Sequence, residues 1–180
     1  MTNIERILAI TDRDKSKRIR KILSCIHKNY DLQVANPTDP TFPTYRDITN
    51  IIIPAKDQTN KTTIMAHHDV FPGSNGYNDN STGVVTLLKL QDDLRDHIEL
   101  VFTDGEECGG QGCRYYLEHS IKPKEALNID VVGLGNKIFY ETYGGDKKVP
   151  FRIPDGLELY EDIPFSDSYV LASYGIPNYP

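Results

Sequence analysis

Apolar residues recur along this chain at two spacings, and each spacing predicts one kind of element. Ile19, Ile22, Leu23 and Ile26 fall at i, i+3, i+4 and i+7, the signature of a helix with one apolar stripe. Residues 46–54 carry Ile48, Ile51, Ile52 and Ile53 and read as a strand, followed by a turn at Lys56–Asn60 and a second strand at Thr62–Ala66. Ser81–Leu94 reads as a helix, with Val84, Val85, Leu87, Leu88 and Leu94 on its apolar side and Asp79, Asn80 or Ser81 available as its cap. Strands follow at Ile98–Phe102, Ala126–Val132 and Lys137–Thr142, with a helix at Gln111–His119 between the first two. The prolines of 36–43 make that stretch a loop between the helical start and the sheet. Strands alternating with helices predict the α/β class: a three-layer α/β/α sandwich around a mixed, mostly parallel sheet. One domain over 1–180 is expected, with a helical segment at 1–30 packed on it. In such sheets ligands gather where strands end and loops begin.

Composition narrows the function classes. With 38% hydrophobic and 26% charged residues and a formal net charge of -6, the chain falls in the ordinary globular range. It has no apolar run long enough to span a bilayer, so no membrane partner is expected. Its start lacks a basic stretch leading into an apolar segment, and a cytoplasmic location is the expectation. Cys25, Cys108 and Cys113 are an odd count without a framework and read as free thiols. Six basic residues crowd 13–21, yet the same stretch holds the helical stripe and no interleaved aromatics. Its charges therefore read as a solvated face, and no nucleic-acid partner is expected.

Candidate chemistry sits in four short polar stations: His67-His68-Asp69, Asn78-Asp79-Asn80, Glu106-Glu107 and Asn128-Ile129-Asp130. Each closes a strand or opens the next helix, so they can converge on one edge of the sheet. Singly, each has an ordinary structural explanation. His67 reads as a core histidine, Asp79 as a helix cap, Glu106 and Glu107 as a solvated turn, and Asp130 as a strand-end acid. Together they put five carboxylates, Asp69, Asp79, Glu106, Glu107 and Asp130, in one place. Such a group repels itself and resists ionisation unless cations lie among its members, and two divalent metals would neutralise it.

The strings Met65-Ala66-His67-His68-Asp69, Gly76-Tyr77-Asn78-Asp79-Asn80-Ser81-Thr82-Gly83, Phe102 to Gly112 and Asn128 to Gly133 resemble, in order and spacing, the co-catalytic zinc aminopeptidase family. That family also embraces glutamate carboxypeptidases and, more distantly, glutaminyl cyclases, and the resemblance runs from about Ile51 to Pro177. It implies the zinc-exopeptidase type of α/β fold and two Zn2+ ions. His67 and Asp130 would hold one zinc, Glu107 the other, and Asp79 would bridge them. Asp69, grouped with Glu106 as catalytic, would stand behind His67 and fix its tautomer. A cis peptide at Asp79-Asn80 is also implied. Glu106 would act as general base and acid on a water shared by the metals. The expected substrate is a peptide or amino-acid amide, cleaved at its amino-terminal bond.

The resemblance thins at the end of the chain. Phe165-Ser166-Asp167-Ser168 and Gly175-Ile176-Pro177 match a late family segment, but no histidine follows His119 to supply the remaining zinc ligand. The second zinc would keep only Asp79 and Glu107, against the three protein ligands usual for catalytic zinc. Of three accounts, a C-terminally incomplete domain, a site completed by a neighbouring subunit or segment, and a degenerate site, the first is expected, with Tyr174 to Pro180 approaching a strand that does not form, and an uncovered sheet edge favouring a homo-oligomer. Tyr140, Tyr143, Phe151, Tyr160 and Phe165 read as loop and core aromatics. Two other functions stay open: a non-catalytic module binding peptide or protein in the same cleft, and an amidohydrolase of acylated amino acids.

Overall fold

The computed structural model describes residues 2–38, 40, 42, 44–133, 138–140, 157–159 and 165–179. In chain order the elements are α1 (Asn3–Ile10), α2 (Lys15–Leu23), β1 (Asp31–Ala35), β2 (Ile48–Ile53), β3 (Thr62–His67), α3 (Thr82–Leu90), β4 (Ile98–Thr103), α4 (Gln111–His119), β5 (Glu125–Asn128), β6 (Ile138–Tyr140), β7 (Leu157–Leu159), α5 (Asp167–Ser173) and β8 (Asn178–Tyr179). Local chemistry starts the two N-terminal helices. Thr2 and Glu5 exchange hydrogen bonds as a capping box on α1, and the Asp14 carboxylate accepts from the Lys17 amide on α2.

Six strands form one sheet in the order β1-β2-β4-β3-β5-β8. β1 runs antiparallel to β2 and β2 to β4, while β4, β3, β5 and β8 pair in parallel. The period of two in each strand then sorts the side chains. Ile51, Ile53, Ala66, Leu100 and Phe102 pack with Ile10 and Ile22 of the N-terminal helices and Val84, Leu87 and Leu88 of α3. Ile52, Met65, Val101 and Ala126 pack on the other face against Tyr116 and Leu117 of α4 and Val170 and Leu171 of α5. The result is the expected three-layer sandwich around a mixed, mostly parallel sheet. From β3 the chain passes through α3 to β4 on one side, then returns through α4 to β5 on the other. β3 is therefore the topological switch point, where a crevice opens beyond the strand ends.

Several elements differ from the sequence pattern for local reasons. The helix expected to reach Leu94 stops at Leu90 because the Gln91 side chain turns back, donating to the carbonyls of Leu88 at 2.7 Å and Cys25 at 3.0 Å. The strand expected over Ala126–Val132 ends at Asn128, and Val131 takes φ 50°, a conformation that branched residues rarely adopt. Ile138–Tyr140 is extended but pairs with β7 in a separate two-stranded sheet. The terminal strand does form as β8, parallel to β5. Expectations that fall on Tyr143, Phe151 and Tyr160 lie outside the described residues. No helix among the described residues is long and apolar enough to cross a membrane, and all three cysteines are unpaired.

Candidate metal centre

β3 delivers His67 to the crevice as its last residue, 1% exposed. Its Nε2 lies 2.9 Å from Asp79 Oδ1 and 3.4 Å from Asp130 Oδ1, and its Nδ1 lies 3.4 Å from Asp69 Oδ1. Neither ring nitrogen has a well-formed hydrogen bond among the described residues, and the buried Asp130 Oδ1 has none either. Buried polar atoms left this way are costly unless something else satisfies them.

The remaining stations reach His67 by backbone devices. Tyr77–Ser81 forms a tight turn opened by Gly76 at φ 64°, where a Cβ would meet Val70 Cγ2 at 2.6 Å. Within the turn the Asp79-Asn80 peptide is cis. The Asn80 amide clasps two stations at once: its Nδ2 donates to the Ile129 carbonyl at 2.8 Å and its Oδ1 accepts from the Gly83 amide at 3.0 Å. Asp130 follows the end of β5, and Glu106 and Glu107 open a short helical turn just beyond β4. Asp69 joins two of the strand ends, since its Oδ1 accepts from the Glu106 amide at 3.1 Å and its Oδ2 from the Glu107 amide at 3.2 Å. The Glu107 side chain accepts from the Phe71 amide at 3.1 Å.

All six residues singled out in the sequence therefore meet. Ligand atoms of five of them fall into two sets, each within 4.8 Å: His67 with Asp79 and Asp130, and His67 with Glu106 and Glu107, with Asp69 in neither. The two sets share His67, whereas the family resemblance implies Asp79 as the shared ligand.

Charge at the site is far from neutral. Burial, with Asp167, Asp130 and Glu107 nearby, pushes the Glu106 carboxyl up to about 9. Burial, with the charges of Asp79 and Asp69, also raises Glu107. Burial works against the charged form of His67, but the close carboxylates of Asp130, Asp69 and Asp79 outweigh it and hold the imidazole well above its usual range. Asp69 resists its own burial through His67, His68 and Arg46 and lies well below the usual carboxylate range.

A family model for peptidase family M28 matches residues 50–152, more than half of the chain. The chain belongs to peptidase family M28. No curated protein matches it. Among solved structures, a Porphyromonas gingivalis glutaminyl cyclase superposes with a TM-score of 0.71 at 19% identity, covering 97% of this chain and 78% of that one. A zinc aminopeptidase from Bacillus subtilis gives 0.62 at 23% identity, over 76% of this chain and 40% of its own. An aminopeptidase from Aneurinibacillus sp. strain AM-1 gives 0.60 at 24%, over 74% and 39%. The M28 chain thus spans well under half the length of these aminopeptidases and most of that of the cyclase. At these identities the likeness is one of fold.

The donor chemistry fits the zinc that M28 membership implies. One imidazole and two carboxylates make a three-ligand set of the nitrogen and oxygen type zinc accepts, and the orphaned His67 Nε2 and Asp130 Oδ1 are the atoms such an ion would engage. Two features of this M28 site escaped the sequence pattern. Asp167, at the start of α5, is buried with its Oδ2 taking a hydrogen bond from Thr103 Oγ1 at 2.6 Å and its Oδ1 unpartnered. Burial pushes its carboxyl up to about 7. Its sequence signals were its place in the family-like string Phe165-Ser166-Asp167-Ser168 and the helix-capping Ser166 directly before it. The second is that the basic run of α2 is not wholly solvated. Arg18 is 1% exposed and donates from Nε to the His68 carbonyl at 2.5 Å, and Lys15 pairs with buried Asp104 at 2.5 Å. Both are drawn inward by the acids of the site, because a buried carboxylate needs a partner of opposite charge.

Proposed function

We propose that this M28 chain is a zinc-dependent hydrolase of the exopeptidase type, acting on the amino-terminal bond of a peptide or on an amino-acid amide. The observation that carries this reading is the meeting of His67, Asp79 and Asp130 as one ligand set beside a second pair of carboxylates, Glu106 and Glu107. Zinc held there would supply Lewis acidity toward the scissile carbonyl and ease deprotonation of a water. The protein's own residues do the rest. Asp69 fixes the His67 ring from behind, and Asp79 and Asp130 complete the cradle. Glu107 adds negative charge toward the ion. Glu106, made more basic by its burial, takes a proton from the attacking water once its carboxylate is ionised beside the cation and passes it to the leaving amine.

Glu106→Gln keeps the size of the side chain and removes its basicity. Zinc content is expected to stay unchanged while turnover of an amino-acid anilide falls by ~10²–10⁴-fold. Unchanged turnover would remove Glu106 from its role, and loss of zinc would recast it as a ligand.

A second reading has one observation in its favour: the glutaminyl cyclase superposes on nearly the whole chain, including elements outside the family-matched stretch. In that chemistry the α-amine of an amino-terminal glutamine attacks its own γ-amide carbon, the carbon–nitrogen bond breaks, and ammonia leaves with a proton returned by Glu106. A glutaminyl peptide separates the two. Release of ammonia with the peptide bond intact supports cyclisation, and release of free amino acid supports the hydrolase.

A further inference from the structure

We propose that Arg46 is a positioning residue for the metal centre, acting through Asp69, and this rests on the zinc reading above. The Asp69 carboxylate has two oxygens and four partners. Oδ1 faces His67 Nδ1 at 3.4 Å and accepts from the Glu106 amide, while Oδ2 accepts from Arg46 Nη2 at 2.6 Å and from the Glu107 amide. A carboxylate turns easily about its last torsion. The guanidinium on one oxygen stops that rotation and leaves the other aimed at the imidazole.

Arg46 is itself anchored. Its Nη2 also lies 3.4 Å from Asp104 Oδ1, and the buried Asp104 is held by Lys15 Nζ at 2.5 Å and by the Thr49 amide at 2.8 Å. The line therefore runs from α2 through Asp104 and Arg46 to Asp69 and His67. Lys15 and Arg46 both precede residue 50, where the family match begins. The cations that brace this site come from the chain's own N-terminal segment. One terminal nitrogen, Nη2, faces both carboxylates, and the delocalised charge of the guanidinium serves them together.

Zinc affinity, measured by competition with a chromophoric chelator, tests this on the full chain. Arg46→Met keeps the apolar stem and is expected to weaken zinc binding by ~10–100-fold, the usual effect of losing a residue that orients a ligand. Arg46→Lys keeps the charge without the fork and is expected to recover part of that loss. Arg46→Gln retains a donor, so it carries the same comparison if the methionine variant does not fold. Lys56→Met, at an exposed pair with Asp96, serves as the control and should bind like the parent. A general loss of stability would lower the metal-free melting temperature without a graded response to lysine. Parental affinity in Arg46→Met, or no recovery in Arg46→Lys, overturns the assignment while leaving the zinc reading intact. A parent chain that binds no zinc overturns both.

Discussion

Glu106 occupies a setting that opposes its own ionisation, and Glu107 and Asp167 share that bias when no cation is present. Its carboxyl binds a proton up to about 9 in the folded chain, against an ordinary value of 4.5, and Asp167 does so up to about 7 against 3.8. Between those limits the folded state holds more protons than the unfolded one, so stability falls as pH rises. His67, raised above 6.5, acts in the same direction: its contribution is present below 6.5 and is lost as pH passes its folded value. Asp69, lowered, contributes at all pH values above the usual carboxylate range and adds no slope there. Metal-free protein is therefore expected to lose melting temperature steadily from pH ~5 to ~9, whereas the stabilisation added by zinc grows over the same range, because ligand binding releases those protons. Thermal melts at stepped pH with and without chelator check this, and parallel curves would contradict it. At this scale the sequence was legible where residue type is itself the chemistry: a strand-end histidine and paired acids declare themselves. Arg46, Lys15 and Asp167 did not, since each reaches the site from a stretch far off in sequence, and the family-like segment around Asp167 and the basic run around Lys15 do not say that either side chain turns toward the acids.

Elements place these residues through close backbone approaches. At the start of α4, a Cβ on Gly112 would lie 2.1 Å from the Asp104 carbonyl oxygen and 2.4 Å from Asn50 Oδ1, so the helix seats against the segment that follows β4 only because a side chain is missing. Gly112→Ala is expected to cost ~1–3 kcal/mol through overpacking, read as a lower denaturant midpoint. A variant as stable as the parent would mean the helix can shift without cost. Long periodic stretches were readable: Ile51, Ile52 and Ile53 fix β2, and the Ile19, Ile22, Leu23 and Ile26 stripe does pack inward. Short ones were not. α1 has eight residues, α5 seven and β1 five, too few for a period to stand out. The shortened β5 lay beyond sequence reasoning for another reason. Its apolar run continues to Val132, and only the turn that presents Asp130 ends it.

Across the whole molecule, three layers and one switch point bring acids from β3, β4 and β5 and the turn before α3 to a single crevice, and an ion there ties all of them together. A ligand that binds only the folded state at 100 times its dissociation constant adds ~2.7 kcal/mol, which for a domain this size is ~5–10 °C in melting temperature. Zinc is expected to produce such a rise and chelator to reverse it, with magnesium as the oxygen-preferring comparison. No shift in a calorimetric scan would argue that the crevice takes no ion. The α/β layering was legible from the alternation of strands and helices, but the inward turn of the basic helix was not, because it depends on acids that come together only in the folded sheet. One consequence follows from the order of the strands. His67 is laid down long before Asp130, and β5 must cross to the far side of β3 before the cradle exists. During translation a growing chain would already carry Asp69, Asp79, Glu106 and Glu107 with the histidine, but the set that includes Asp130 stays open until that crossing is made. Closure of the cradle by Asp130 is thereby the last of these steps in chain order.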